Sequence, residues 1–349
     1  MMTIFTPSFA DEADSNAQNL TVKEVVSRLP SDRFRVVMCC EGTPDPRIAG
    51  RKNTRLIRFG RHGNTVRALW QCLWEKPDVY FFPREGPLDA AFLYFRRRLR
   101  LKSALVSYVV SGGLDQAPRP ALDRNMREAD AVFANCRHLS QFLATRLGAE
   151  VSTIYDGIDR RYFFAGGESR DANGPLRVLF AGSFRRYKRP DLVVRQAARW
   201  PNVQFLLAGQ GEEESACRAL VAELGCGNVD FLGHLTVERL GEAMRRSDIF
   251  FFPSVIEGHP QVLGQAAACG LPAVCMKSYR PDYVIDGQTG FLAENDQELG
   301  DKLDLLVRNT DLRYSMSRAA VTHAANFDWD HVASQWQSAF EFALARRRN

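Results

Sequence analysis

Short apolar runs alternate with stretches of helical spacing along this chain, twice over. That alternation argues for parallel sheets flanked by helices. In the first half the strand candidates are Met2–Thr6, Phe34–Met38, Leu56–Phe59, Asp78–Phe82, Ala104–Val110, Ala131–Ala134 and Val151–Ile154. Helices are expected over Asn16–Leu29, Thr65–Trp74, Leu88–Leu99 and His138–Leu147. In the second half strands are expected at Arg177–Ala181, Val203–Ala208, Val229–Phe231, Ile249–Phe252 and Ala273–Met276. Helices there are expected over Pro190–Arg199, Glu212–Leu224, Val237–Arg246, Gln261–Cys269, Asp296–Arg308 and Asp311–Ala325. Each half reads as a Rossmann-like, doubly wound α/β domain, with a hinge at Tyr155-Asp156-Gly157-Ile158-Asp159.

A chain of 349 residues is long enough for two such domains. No apolar run approaches the roughly 20 residues that span a bilayer; the longest candidates are Ala90–Phe95 and Ala104–Val110. No secretory leader is expected at the N-terminus. The eight cysteines are scattered without zinc spacing and read as reduced and mostly buried, which fits a cytoplasmic protein. The net charge of +5 is uneven, with an excess of six basic residues over residues 1–158. Between Asp45 and Glu75 there is no acidic residue, while Arg47, Arg51, Lys52, Arg55, Arg58, Arg61 and Arg67 all occur. A second basic cluster runs from Arg96 to Lys102. One reading is an anionic partner, either a membrane surface or a phosphorylated acceptor; the other is a solvated face. Nucleic acid is not expected, because no finger, RNP-type or helix-turn-helix pattern accompanies the basic residues.

The stretch from Pro253 to Pro272 carries the most chemistry. It reads as a strand end, a short polar loop and a brief helix, with Pro260 in the first turn and Gly270 just past the end. Glu257, Gly258 and His259 then sit at a helix N-terminus, where free N–H groups and the positive end of the dipole favour a phosphate. Glu257 can accept hydrogen bonds from sugar hydroxyls, or serve only as a cap. Two further strand-to-helix turns occupy the place where a doubly wound domain binds its ligand. One is Ala181-Gly182-Ser183-Phe184-Arg185-Arg186-Tyr187-Lys188, and the other is Leu207-Ala208-Gly209-Gln210-Gly211-Glu212. Gly209 and Gly211 permit close approach of a nucleotide to the backbone. The one Asp-x-Asp, Asp328-Trp329-Asp330, lies in the C-terminal stretch far along the chain from these turns, and no metal site is expected.

The Pro253–Pro272 segment resembles the donor-binding signature of retaining glycosyltransferases of family four, which have the GT-B fold. The family pattern is Glu, seven residues, Glu, then small residues and Gly-x-Pro. Glu257 matches the first Glu, Gln265 replaces the second, and Ala266 to Pro272 match the tail. The family's Gly-Arg-x-x-x-x-Lys is met by Gly182 and Lys188, with Ser183 in the Arg place. The hinge looks like the family's Asn-Gly-Val-Asp linker, and Phe327-Asp328-Trp329-Asp330 looks like the start of a helix that crosses back to the N-terminal domain.

The resemblance implies two Rossmann-like domains facing across a cleft. The acceptor domain would be residues 1–157 with 327–349, and the donor domain residues 158–326. It implies metal-independent transfer of a hexose-type sugar from a nucleotide diphosphate sugar, without a cofactor, to a glycan, lipid-linked or small-molecule acceptor. Lys188, with Arg185 or Arg186 and the loop Gly258, His259, Pro260 and Gln261 through its free N–H groups (proline has none), would hold the diphosphate. Glu257 would grip the sugar, Gln265 the ribose, and Phe231 and Leu232 would lie near the base. Asp11, Asp14, Asn16, Asn19, Ser111 and Gly112 are candidates to line the acceptor site. Ala104–Gly113 lacks the histidine that many family members carry there, and His62 and His138 read as surface or structural. A cytoplasmic protein, either free or peripheral at the inner face of the membrane, is the expected setting. The alternatives are a nucleotide-sugar epimerase, an inverting transferase on the same fold, and a non-catalytic nucleotide-binding partner.

Overall fold

In the computed structural model the chain forms two compact units, Met1–Asp156 with Trp329–Asn349, and Gly157–Asp328. The structure describes residues 1–12, 17–58, 64–83, 85–110, 119–166 and 174–348.

Among the described residues, the first unit holds a parallel sheet of strands Met2–Phe9 (β1), Phe34–Cys40 (β2), Thr54–Arg58 (β3), Val79–Phe81 (β4), Ala104–Val109 (β5), Ala131–Ala134 (β6) and Ser152–Thr153 (β7). Their order is β3-β2-β1-β4-β5-β6-β7. Successive side chains of a strand point to opposite faces, and here both faces are buried. Ile4, Val36 and Val106 pack on one face with Val22 and Val25 of helix Ala17–Arg28 and with Trp336 and Phe340 of helix Trp329–Arg348. Phe5, Val37, Tyr80 and Leu105 pack on the other with Cys72 of helix Asn64–Glu75 and Phe92 of helix Pro87–Arg98.

The second unit holds strands Arg177–Ala181 (β8), Gln204–Ala208 (β9), Val229–Gly233 (β10), Ile249–Phe252 (β11), Ala273–Met276 (β12) and Gly290–Ala293 (β13), again parallel, in the order β10-β9-β8-β11-β12-β13. Its helices start where the sequence supplies caps: Asn295 accepts from Glu298 N at 3.0 Å and Asn309 from Leu312 N at 2.9 Å. The chain steps from β8 outward to β10, then returns to β11 on the opposite side of β8. Loops after β8 and β11 therefore diverge, leaving a crevice at their carboxyl ends.

Several elements depart from expectation. Helices Pro46–Ala49 and Pro120–Arg127 and strand β13 were not expected. β1 runs on to Phe9 because its register with β2 slips between Thr6 and Phe9. Pro260 is not in the first helical turn; its backbone is extended (φ −72°, ψ 95°) and the helix begins at Gln261. The helix expected from Glu212 begins at Glu214, since Glu213 N donates to Phe184 O at 3.0 Å. The eight cysteines are free thiols, and all but half-buried Cys226 are buried. Among the described residues no helix is long and apolar enough to cross a membrane.

Candidate functional site

The crevice of the second unit is a cavity of about 500 Å³ at the carboxyl ends of β8, β9, β10 and β11. Ala181, Gly182 and Ser183 follow β8; Ala208, Gly209 and Gln210 follow β9; His234 and Leu235 follow β10. Glu257, Pro260, Gln261, Val262 and Gln265 come from the loop after β11 and its helix, and Lys188 and Leu240 complete the wall.

Lys188 and Glu257 lie 69 positions apart in sequence, and the adjacency of β8 and β11 brings them together. Lys188 Nζ stands 2.5 Å from Glu257 Oε1, with the two side chains only 15% and 11% exposed. The ammonium also lies 5.1 Å from the Phe252 ring centroid and 5.6 Å from that of Tyr187, both favourable cation–π distances. Behind the lysine, a short 3-10 helix, Arg186–Lys188, is tied to the loop after β11: Val255 N and Ser254 Oγ both donate to Tyr187 O. Arg189 closes the turn in a left-handed conformation (φ 57°, ψ 51°) and ion-pairs with Asp296. An ammonium carries three donors, so Lys188 can hold Glu257 and still donate to an anion in the cavity.

The helix Gln261–Ala268 points its N-terminus, with unsatisfied N–H groups, into the same space. The loop ahead of it is anchored from below. The His259 ring stacks on Tyr283, with centroids 4.2 Å apart and planes at 29°. Burial pushes the imidazole down to about 3, so it stays neutral. A Cβ at Gly264 would come within 2.7 Å of the Tyr283 ring, so only glycine lets the helix sit against it. No spacing in the sequence marks Tyr283 or Gly264 as parts of this support.

The glycines of the loop after β9 have a role other than the open approach expected of them. Gly209 has φ +132°, and a Cβ there would meet the Gly182 carbonyl oxygen at 1.9 Å. A Cβ at Gly211 would meet the Phe184 backbone at 2.4 Å. Both are glycine because the loops after β8 and β9 pair through their backbones, Gly182 N to Ala208 O and Phe184 N to Gln210 O.

Other candidates lie elsewhere. The Arg185 and Arg186 side chains are exposed and do not line the cavity. Gly211 and Phe231 are also outside its wall; the Phe231 ring lies beside Phe184, 4.2 Å from the Arg218 guanidinium carbon. Leu232 lines a second cavity of about 480 Å³ with Arg177, Arg239 and Arg246. Gly258 and His259 flank the wall. In the first unit the Asp11 carboxylate accepts from the Glu41 and Gly42 amides, and Asn19 Oδ1 accepts from Phe9 N at 3.1 Å. Both are thus committed to holding turns. Asp14, Asn16, Ser111, Gly112 and His62 lie outside the described residues. The sequence reading passed over Gln210, His234, Leu235, Leu240 and Val262; position after a strand end in a doubly wound sheet is the signal that could have found the first three.

Residues 167–323 match the family model described as glycosyl transferases group 1. The D-inositol 3-phosphate glycosyltransferase of Mycobacteroides abscessus is 33% identical over 255 residues, covering 66% of this chain and 57% of that protein. The chain thus spans little more than half the length of the curated relatives it matches. Among solved structures, sucrose-phosphate synthase of Thermosynechococcus elongatus superposes with a TM-score of 0.76 at 18% identity, covering 98% of both chains. The Anabaena protein HepE in complex with UDP gives 0.78 at 17% identity, covering 98% of this chain and all of that one (100%). On these grounds residues 167–323 are similar to the group 1 glycosyl transferases, and the chain is built on the GT-B fold.

Proposed function

We propose that this chain is a retaining glycosyltransferase that needs no metal and moves a hexose-type sugar from a nucleoside diphosphate sugar to a hydroxyl of a glycan, lipid-linked or small-molecule acceptor. The observation that carries the reading is the Lys188–Glu257 pair, 2.5 Å apart at the strand-switch crevice and beside a helix N-terminus. Breaking the bond from the anomeric carbon to the phosphate oxygen sends its electron pair to the diphosphate. Lys188 and the helix amides supply fixed positive charge where that charge grows. The acceptor oxygen attacks the same face of the sugar, and its proton passes to the departing phosphate oxygen. Glu257 grips the sugar hydroxyls. Among the described residues that line the cavity, Glu257 carries the one carboxylate, which disfavours a covalent route needing two acidic groups.

The curated relatives support the reading by their names, as glycosyltransferases of D-inositol 3-phosphate. The solved complexes of HepE with UDP and with UDP-glucose make uridine nucleotides the first donors to try. The basic excess over residues 1–158 supports one further part, an anionic membrane as the surface where the acceptor is presented.

The test is a thermal-shift panel of UDP-, GDP-, ADP- and dTDP-sugars. A donor at 100 times its dissociation constant stabilises by about 2.7 kcal/mol. Proton NMR of the product then reads the anomeric configuration. Retention is expected; an inverted product, or no donor that both shifts melting and turns over, refutes the proposal.

A further inference from the structure

Helix Asn64–Glu75 and helix Pro87–Arg98 lie on one face of the first unit's sheet. Ala68 and Cys72 of one and Phe92 and Leu93 of the other share a core with Phe5, Tyr80 and Leu105. Their outward sides therefore look the same way. A surface helix ordinarily turns polar residues outward. Here Val66, Trp70 and Trp74 are 74%, 61% and 68% exposed. Spaced four apart, they form one stripe along the helix, and the two indoles stack with centroids 5.4 Å apart and planes at 20°. On the neighbouring helix Tyr94 is exposed, as is Leu99 just past its end. Isolated exposed apolar residues are ordinary; an ordered stripe with two tryptophans is not.

The charges on the same two helices sort by sign. The acidic ones turn inward. Glu75 is held by Arg35 and Arg55 with its side chain 5% exposed. Asp89 is buried, accepting from Tyr80 Oη at 2.7 Å and Gly86 N at 3.1 Å. The exposed charges of the described helical surface are Arg67, Arg97 and Arg98, with Lys76, Arg100 and Lys102 beyond the helix ends. Two acidic groups border this face, Glu85, paired with Arg119, and Glu128, 3.7 Å from Arg97, while the exposed charge of the two helices themselves is cationic. Indoles beside such a face suit the headgroup layer of an anionic bilayer, where Trp is favoured and Lys and Arg meet negative lipid. Of the aromatics on helix Pro87–Arg98, Phe92 lies in the core and Tyr94 faces outward.

We propose that the outer face of these two helices docks the protein on an anionic lipid bilayer, with Trp70 and Trp74 inserted and Arg67, Arg97 and Arg98 on the headgroups. The proposal rests on the membrane part of the reading above and not on the donor chemistry. It is tested with the full chain by co-flotation on vesicles of phosphatidylcholine, with and without phosphatidylglycerol. Wild type should float only with the anionic vesicles, and brominated lipid should quench its tryptophan emission. Trp70→Ala with Trp74→Ala should weaken binding roughly tenfold or more and abolish the quenching. Arg97→Gln with Arg98→Gln should weaken it roughly 30-fold, at about fivefold per basic side chain. All four side chains are exposed, so melting should stay at the wild-type value. If the tryptophan variant floats like wild type, this face is not the docking surface, although the membrane reading survives. If wild type floats with neither vesicle, both fall. If light scattering shows a dimer that the tryptophan variant dissolves, the face joins two copies of this chain and the proposal is overturned.

Discussion

Glu257→Gln keeps the side chain's shape and removes its charge. In the free protein it leaves the Lys188 ammonium 15% exposed against two aromatic rings, without the carboxylate that now sits 2.5 Å away. Breaking a buried pair from one side costs about 3–5 kcal/mol, and this pair keeps a little solvent, so about 2 kcal/mol is expected. Lys188→Met strands the carboxylate in the same way and should cost about as much. The double variant strands nothing, so its cost should stay near about 2 kcal/mol rather than double, a coupling of about 2 kcal/mol. Urea unfolding at neutral pH, with unchanged slopes, measures all three. The ligand side separates the roles. Glu257→Gln frees the ammonium and should leave affinity for UDP alone intact while losing the extra affinity conferred by the sugar. Lys188→Met should lose both. Additive stabilities, with coupling below about 0.5 kcal/mol, would show that the pair does not form in solution. Equal loss of UDP affinity in both variants would refute the division of labour.

Three further outcomes follow from the same site. Gly209→Ala forces a Cβ to within 1.9 Å of the Gly182 carbonyl at φ +132°, and should destabilise by at least about 2 kcal/mol in chemical unfolding while blunting donor-induced thermal shifts. His259 is held near 3 when folded against 6.5 when free, so unfolding takes up a proton as pH falls below 6.5. Its contribution is complete above that pH and declines by about 2 kcal/mol from pH 7 to 5; melting of His259→Phe should show a correspondingly flatter pH profile. Gln265→Glu places a charged acceptor in the cavity wall and should tighten binding of a ribonucleoside diphosphate up to about tenfold by calorimetry, with no gain for the 2′,3′-dideoxy analogue.

The α/β layout was readable because buried parallel strands leave dense apolar runs such as Ile249–Phe252, and because Gly and Pro punctuate them. The elements that escaped lack that signal. Helix Pro120–Arg127 buries only Leu122, Asn125 and Met126, too few apolar positions to show a period. β13 is four residues long and opens on Gly290, whose Cβ would strike Ala273 O at 2.2 Å. Lys188 and Glu257 were each visible through the signature they resemble. Their contact was not, since it depends on which strand lies beside β8. The glycines at 209 and 211 were recognised as special for a reason that proved incomplete: what fills the space where a Cβ would be is a neighbouring loop, and no local pattern reports it. The exposed tryptophans were hidden for a related reason. Helix Asn64–Glu75 carries apolar residues on both sides, Ala68 and Cys72 inward and Trp70 and Trp74 outward, so periodicity alone did not say which side met the sheet.

The most direct measurement is a crystal structure of the chain with an unhydrolysed UDP-sugar. The account predicts a diphosphate oxygen within about 3 Å of Lys188 Nζ, the phosphates against the N-terminus of helix Gln261–Ala268, and Glu257 on a sugar hydroxyl. A diphosphate seated away from Lys188, or a metal ion bridging it to the protein, would contradict it.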